Sequence, residues 1–399
     1  MHRNVSTFGP SQRYKLDFPR SGETGHYGDG MKVYLFGWPG SLGGASTKFV
    51  HLVWLLHRRY PITVVTPRTS QLTETHWTRW MEQNGIRYCA IGGMPARLQG
   101  WGVSLCDSEF VGSPEWVEMR RRGLKMAWGN EMMWPLPRET GAVIFGQVDA
   151  ILYVSPVQRA TLEPEYQRML RGTLHRRPIS AGGRRTSGWI EGRTKRERLR
   201  WIMVGNYIDP GAFPFRDRSS DFKPQITVGR LSRPDPSKFP VDFPQSYEKL
   251  GLKEPRFRVM GWSAELQARW SNHCFDDRWE LLEPFADPVP FLQSLDLFMY
   301  EVGPRCRESW GRSVVEAMLT GAIPLVPKGG GHHLENLIEH RRSGFLCRDR
   351  GEFGQYARYL QDHPAERFRI SQLCRQIAVR RLCNTQHHLR LWNKVFHGC

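Results

Sequence analysis

An alternation of strand-like and helix-like apolar patterns begins near residue 31 and constrains the fold more than any other feature. Lys32–Phe36 and Pro61–Thr66 are apolar runs of strand length. Between them, a glycine-rich stretch at 37–44 leads into residues 45–59, where apolar side chains recur at helical spacing. A strand, a glycine loop, a helix and a strand in this order predict a βαβ unit and therefore a parallel sheet.

The same alternation returns along the rest of the chain. A strand at Ala150–Val154 precedes a helix at 156–171, and a second series of strands starts at Gln225–Arg230. We therefore expect an α/β chain with two Rossmann-like domains that face each other across a cleft. The expected parts are a flexible arm (1–30), an N-terminal Rossmann-like domain (31–210) with a basic insertion (171–200), a C-terminal Rossmann-like domain (211–380) and a C-terminal helix (381–399) that packs back on the N-terminal domain.

Length and composition exclude several classes of protein. A chain of 399 residues with 12% aromatic residues is neither disordered nor a single small domain. No apolar run approaches the ~18 residues of a membrane-spanning helix, and residues 1–30 lack the apolar centre of a signal peptide. The eight cysteines are scattered without Cys-x-x-Cys pairs, which is typical of reduced thiols in a cytoplasmic protein and not of a structural zinc site.

The charge balance predicts an anionic partner. Lys and Arg number 57 against 39 Asp and Glu, a net charge of +18. Residues 171–200 hold ten Arg or Lys and two Glu, so nearly half of the net charge lies in one stretch with loop character. Nucleic acid, an acidic membrane surface and a phosphorylated substrate all fit this charge.

The stretch from Glu308 to Pro324 carries the most specific chemical pattern. Glu308 and Glu316 are separated by seven residues, with the first in a turn and the second about two turns into a predicted helix that Ser309 or Ser313 caps. A helix N-terminus suits a phosphate, and a nearby carboxylate accepts hydrogen bonds from sugar hydroxyls. From spacing alone, a surface helix with two solvated acids explains the pattern equally well.

Beyond spacing, these residues resemble the signature of GT-B glycosyltransferases, in particular the retaining nucleotide-sugar enzymes of glycosyltransferase family 4. The matching residues are Glu308-Ser-Trp-Gly311, Glu316-Ala-Met318, Gly321, Pro324-Leu-Val326, Gly329-Gly330-Gly331, Glu335 and Ser343-Gly-Phe-Leu346. Further likenesses are Gly43-Gly44, Val154-Ser-Pro-Val-Gln-Arg159, Asn206-Tyr-Ile-Asp209 with Phe213, and Val228-Gly-Arg230. The motifs occur in the order of that family and span residues 31–348.

The resemblance implies a transferase that uses a donor such as UDP-glucose, with 31–210 as the acceptor-side domain and 211–380 as the nucleotide-sugar-binding domain. Glu308 would contact the transferred sugar, Glu316 the ribose, and Arg230 with Lys238 the departing diphosphate. The implied donor-binding set is Gly43, Gly44, Arg233, Ser309, Trp310, Gly311 and Glu316. Because cations do the work of charge neutralisation, the resemblance implies no metal and no further cofactor.

The sequence departs from the family pattern at three places, one of which is Tyr207, where the family prefers glycine in the linker. Lys238 lies eight residues after Arg230, further than the family spacing, so Arg233 is an alternative cation. A histidine that the family places in the first domain has no counterpart here. In its place, Asn130 or Glu131 is a candidate for contact with the acceptor, and an ordinary loop is the alternative.

The acceptor class is predicted from the basic insertion. Arg184, Arg185, Arg193, Lys195 and Arg196 suit the phosphates of double-stranded DNA. The chain in this respect resembles viral DNA glycosyltransferases, which modify a hydroxymethylated base after base flipping. A membrane-linked glycolipid or polysaccharide is a second acceptor class, a small soluble acceptor is a third, and a non-catalytic nucleic-acid-binding protein on a transferase fold is the alternative to an enzyme.

Overall fold

A computed structural model describes residues 30–39, 44–72, 74, 76–175, 199–218, 225–284 and 287–398. These residues form two compact units. The first unit contains the described residues up to Tyr207, the segment Glu308–Trp310 and the chain from Asn384 onward; the second contains Ile208–Arg307 and Gly311–Cys383. The predicted arm and most of the basic insertion (176–198) lie outside the described residues.

The first unit contains a seven-stranded sheet in the order β3-β2-β1-β4-β5-β6-β7, with every pairing parallel. Its strands are β1 Val33–Phe36, β2 Ile62–Thr66, β3 Arg87–Ala90, β4 Trp101–Leu105, β5 Lys125–Gly129, β6 Ala150–Tyr153 and β7 Arg200–Met203. Its helices are α1 Gly44–His57, α2 His76–Gln83, α3 Pro114–Arg121, α4 Pro137–Ile144, α5 Pro156–His175 and the C-terminal helix Thr385–His397.

Both faces of this sheet are buried, which explains why its strands are apolar runs. Val33 and Leu35 belong to one core cluster, whereas Tyr34 and Phe36 belong to another. Successive side chains of a strand point to opposite faces, so β1 contributes to a core on each side of the sheet. Helices cover both faces of parallel sheets, and continuous apolar strands follow from that.

The C-terminal helix is part of the first unit's core. Asn384 caps the helix by accepting a hydrogen bond from the backbone N–H of His387. The Trp101 indole donates to the carbonyl of Phe396 (2.9 Å), and Trp392, Val395 and Phe396 pack with strand residues. The helix Thr385–His397 therefore packs on the same core as the strands of the first unit.

The second unit contains a six-stranded parallel sheet in the order β10-β9-β8-β11-β12-β13. Its strands are β8 Thr227–Leu231, β9 Arg256–Met260, β10 Trp279–Leu282, β11 Leu297–Met299, β12 Ile323–Pro327 and β13 Phe345–Cys347. Its helices are α6 Phe243–Glu248, α7 Ala264–Arg269, α8 Pro288–Gln293, α9 Arg312–Thr320, α10 Leu334–Leu337, α11 Arg350–Asp362 and α12 Pro364–Ile377, and a π-helical turn follows at Ala378–Leu382. We number the C-terminal helix Thr385–His397 as α13.

Each sheet reverses its strand order at one place, which lies between β1 and β4 in the first unit and between β8 and β11 in the second. Ligands of such sheets bind beyond the carboxyl ends of the strands at this topological switch. The predicted α/β class with two parallel sheets is confirmed. Among the helices described, none combines the length and apolar character needed to cross a bilayer.

Candidate functional site

Arg230 spans the topological switch of the second unit. It lies at the carboxyl end of β8 and is fully buried. Its Nη1 donates to the carbonyl of Glu301, which follows β11, at 3.0 Å, and its Nη2 donates to the carbonyl of Lys238 at 2.9 Å. One guanidinium therefore connects the loops that leave the two strands of the switch.

Aromatic rings surround the same guanidinium. The Arg230 Cζ lies 4.1 Å from the ring centre of Phe239, 5.0 Å from that of Tyr300 and 5.6 Å from that of Phe243. Arginine over aromatic faces at such distances makes cation–π contacts, which are stronger away from water. The positive charge of Arg230 is thus held in a fixed place.

Lys238 and Arg233 lie in the loop that Arg230 holds. Lys238 ends a 3₁₀ turn that begins at Pro236, and Asp235 caps the turn by accepting from the backbone N–H of Ser237 at 2.9 Å. Lys238 is half-buried, whereas Arg233 is exposed with its Nη2 3.9 Å from Asp235 Oδ2. Both candidate cations therefore follow β8 within one short loop.

The segment Glu308–Trp310 belongs to the first unit, where Glu308 and Trp310 are buried. The Ser309 hydroxyl donates to the backbone carbonyl of Glu131 at 2.8 Å. This bond joins the segment that contains a candidate sugar-binding acid to the residue predicted to meet the acceptor. The structure thus brings together two predicted parts of the site that are 178 residues apart in the sequence.

Helix α9 begins at Arg312, later than predicted, so Glu316 lies just over one turn from its start rather than about two turns. The prediction of a serine cap is wrong, because the N-cap is Gly311 in the left-handed conformation, with φ of 91°. A side chain at Gly311 would also collide with Leu334. Glycine alone satisfies both requirements, which sets the start of the helix.

Glu316 is buried on α9 and paired with an arginine of its own helix. The Arg312 Nε lies 2.8 Å from Glu316 Oε1. Burial raises the pKa of the Glu316 carboxyl, and the charge of Arg312 opposes that rise. Arg312 therefore favours the ionised form of this carboxyl group.

In the first unit, the glycine stretch leads into α1, whose first residue is Gly44; Gly43 lies outside the described residues. Lys48 is on this helix, one turn from its start. Its Nζ lies 2.6 Å from Oε1 of Glu131, and the two side chains are 4% and 12% exposed. The sequence predicted Glu131 but not its lysine partner.

Asn130, just after β5, is buried and its side chain is fully engaged inside the unit. Its Nδ2 donates to Glu139 Oε2 (2.8 Å) and to the carbonyl of Trp134 (3.0 Å), and its Oδ1 accepts from the N–H of Met132 (2.7 Å). These bonds shape the loop 130–136. The side chain of Asn130 therefore supports this loop. Of the two predicted acceptor residues, Glu131 is the one that we consider further as a ligand-binding residue.

A buried acid that belongs to no recognisable sequence motif supports the same loop. Glu139 on α4 accepts hydrogen bonds from the Tyr166 hydroxyl, from Asn130 and from the backbone N–H of Leu136. Burial raises the pKa of Glu139, and these donors oppose the rise. Gln158 completes the support by donating to the carbonyls of Asn130 and Met132.

The predicted acceptor-binding residues of the basic insertion are not among the residues that the structure describes; they are Arg184, Arg185, Arg193, Lys195 and Arg196. Across the ranges that are described, no three His, Cys, Asp or Glu side chains group as metal ligands would.

Comparison with known proteins identifies the fold through structure and not through sequence. No protein-family model matches this chain, and neither does the sequence of any curated protein. Solved structures do match. Alr3699/HepE of Anabaena, in complex with UDP-glucose, is 14% identical with a TM-score of 0.61, and the match covers 92% of this chain and 99% of that one.

Two further structures give the same result. A glycosyltransferase of Rickettsia africae is 9% identical with a TM-score of 0.60, covering 92% of this chain and 99% of its own. Sucrose-phosphate synthase of Thermosynechococcus elongatus is 11% identical with a TM-score of 0.61, covering 92% of this chain and 98% of its own. Such low identities over nearly whole chains show a shared architecture, and this chain therefore has the GT-B fold of glycosyltransferases.

Proposed function

We propose that the protein is a glycosyltransferase that moves a sugar from a nucleotide-diphosphate sugar to a hydroxyl acceptor. The observation that carries this proposal is the placement of Glu308 and Glu316 on either side of the glycine that starts α9, in a chain with the GT-B fold. HepE is complexed with UDP-glucose, which supports a uridine diphosphate sugar as the donor.

The chemistry of transfer explains what each group would do. Breaking the bond between sugar and phosphate places negative charge on the diphosphate and positive charge on the sugar. Arg230 and Lys238, held together at the end of β8, would stabilise the diphosphate. Glu316 would accept hydrogen bonds from the ribose and Glu308 from the transferred sugar.

We propose further that these cations replace a metal and that the sugar keeps its anomeric configuration. The first point is supported by the fixed charge of Arg230, and the second by the resemblance to retaining enzymes. Activity that persists in EDTA and a product with the donor's anomeric configuration by NMR would agree. Activity that a chelator abolishes, or an inverted product, would contradict the respective point.

For the acceptor, we propose a hydroxymethylated base in double-stranded DNA. The net charge of +18, nearly half of it in residues 171–200, supports an acceptor that carries phosphates. The described cysteines are free thiols, which agrees with a cytoplasmic protein that meets DNA and nucleotide sugars.

Labelled UDP-glucose with three acceptors tests both parts of the proposal. The acceptors are duplex DNA containing 5-hydroxymethylcytosine, the same duplex with cytosine, and vesicles containing glycolipid. We expect label on the hydroxymethylated duplex alone. Label on the glycolipid would contradict the DNA acceptor and show that the acceptor is membrane-linked. DNA binding without release of UDP from any nucleotide sugar would indicate a non-catalytic protein.

A further inference from the structure

The ion pair between Lys48 and Glu131 lies near the N-terminus of α1, where a buried lysine is unusual. Lys48 is the fifth residue of α1, and Glu131 follows β5, so a buried lysine and a largely covered glutamate form an ion pair beyond the carboxyl ends of the strands of the first sheet. Side chains of a helix lean toward its N-terminus, which carries partial positive charge. A lysine near that end is unfavourable unless an anion accompanies it, and Glu131 is that anion.

Stability alone does not account for such a pair. Removing two charges from water costs about as much as their attraction returns, so apolar residues of similar size hold a fold together as well. An ion pair does, however, fix where a carboxylate points. Lys48 holds one oxygen of Glu131, Oε1, at 2.6 Å.

The backbone around Glu131 is fixed as well. Ser309 donates to its carbonyl at 2.8 Å, and Asn130 before it is buried in the network with Glu139 and Gln158. Cys106, which follows β4, also faces Glu131; burial raises the pKa of this thiol to about 11, so the thiol is uncharged at neutral pH. Lys48 is the only cation that the described structure pairs with Glu131.

One oxygen of Glu131 stays available for a ligand. No hydrogen bond from a described residue reaches Oε2, whereas Oε1, the carbonyl and the neighbouring amide are all engaged. A carboxylate oxygen accepts a hydrogen bond from a hydroxyl or from water. Because Ser309 is next to Glu308, this oxygen belongs to the same small region as the acid assigned to the sugar.

We propose that Lys48 is a positioning residue of the transferase: its ammonium holds Oε1 of Glu131 so that Oε2 binds the hydroxyl of the acceptor, or a water in its place. This inference rests on the proposed function. Lys48 acts through Glu131 and contacts no substrate, so its loss slows the reaction of bound donor without weakening donor binding.

Two measurements with UDP-glucose test this role without requiring the natural acceptor: the Kd by calorimetry, and the kcat for hydrolysis with water as the acceptor. We expect Lys48→Met and Glu131→Gln each to lower kcat by about 10–100-fold, since small misplacement of a reacting group has such effects. The Kd should change less than about twofold. The double variant should have about the same kcat as the slower single variant, because each substitution removes the same interaction.

Rescue and control variants separate positioning from general stability. Lys48→Arg should keep most of the wild-type kcat, because arginine also supplies a cation. If Lys48→Met does not fold, the kcat of Lys48→Arg is compared with that of Glu131→Gln instead. Arg120→Met breaks an ion pair with Asp149 elsewhere in the first unit and should lower only the thermal stability. An unchanged kcat in Lys48→Met, losses that multiply in the double variant, or a Kd that rises in parallel would overturn the inference. Wild-type protein that does not bind or hydrolyse UDP-glucose would instead overturn the proposed function.

Discussion

The Nε of Arg312 lies 2.8 Å from Oε1 of Glu316, four residues further along α9, and both side chains are buried. Burial raises the pKa of the Glu316 carboxyl, so protonation is easier in the folded protein than in the unfolded chain. The positive charge of Arg312, which is itself buried, opposes this rise in the pKa of Glu316. The ionised acid at this position therefore depends on its partner.

Replacing Arg312 by methionine leaves Glu316 as a buried acid without a counter-ion. We expect a loss of about 3–5 kcal/mol in the free energy of unfolding at pH 7. A raised folded-state pKa means that stability is lost as Glu316 deprotonates with rising pH, so the loss should be smaller at pH 5. Urea denaturation at both pH values measures it. Arg312→Met with Glu316→Gln should recover much of the stability; equal losses at both pH values would contradict the explanation.

The bonds of Arg230 predict a different effect from that of its neighbour Arg233. Arg230→Met deprives the carbonyls of Glu301 and Lys238 of their donor, and we expect it to cost about 2–4 kcal/mol of stability. Arg233→Ala removes an exposed side chain and should change stability by less than about 0.5 kcal/mol. Urea denaturation distinguishes them. Equal stabilities of the two variants would show that the guanidinium does not hold this loop.

The network around Asn130 predicts that this residue supports the loop rather than the ligand. Asn130→Asp would place a second carboxylate beside Glu139, whose pKa burial already raises. We expect a loss of about 3–5 kcal/mol at pH 7, because a buried charge would lack a partner. Thermal denaturation measures the loss. A variant as stable as wild type, but with weakened acceptor binding, would instead assign Asn130 to the ligand.

The basic insertion predicts how DNA binding depends on salt. Replacing Arg184, Arg185, Arg193, Lys195 and Arg196 by glutamine should weaken binding of hydroxymethylated duplex and flatten its salt dependence by about 0.9 in slope for each lost phosphate contact. Fluorescence anisotropy at several salt concentrations measures both. UDP-glucose binding should be unchanged and serves as the control. A salt slope equal to that of wild type would show that the basic insertion does not contact the DNA phosphates.

The sequence predicted the elements whose patterns are strongest. Strand β1 and helix α1 match the βαβ unit inferred from apolar spacing to within two residues. Strand β13 has only three residues, and β5 contains glycine and lysine, so neither shows a pattern that differs from a loop. The start of α9 was predicted from possible serine caps, whereas the backbone conformation of Gly311 and its contact with Leu334 decide it.

The candidate site was predictable in its residue types and not in its partners. Glu308, Glu316 and Arg230 stand out because they match a motif. Lys48 and Glu131, however, are 83 residues apart, and only the order of strands in the first sheet brings them together. The carbonyl acceptors of Arg230 have no signature in sequence either, because every residue carries such a group.

The most direct test of the account is the affinity for UDP-glucose of wild type, Glu316→Ala and the control Glu280→Ala, measured by calorimetry. Glu280 is an exposed acid paired with Arg258 on the sheet of the same unit. We predict that wild type and Glu280→Ala bind alike and that Glu316→Ala binds at least about tenfold more weakly, since hydrogen bonds to a charged group are worth about 1.5–3 kcal/mol. A folded Glu316→Ala that binds UDP-glucose as tightly as wild type would contradict the claim that this acid holds the donor.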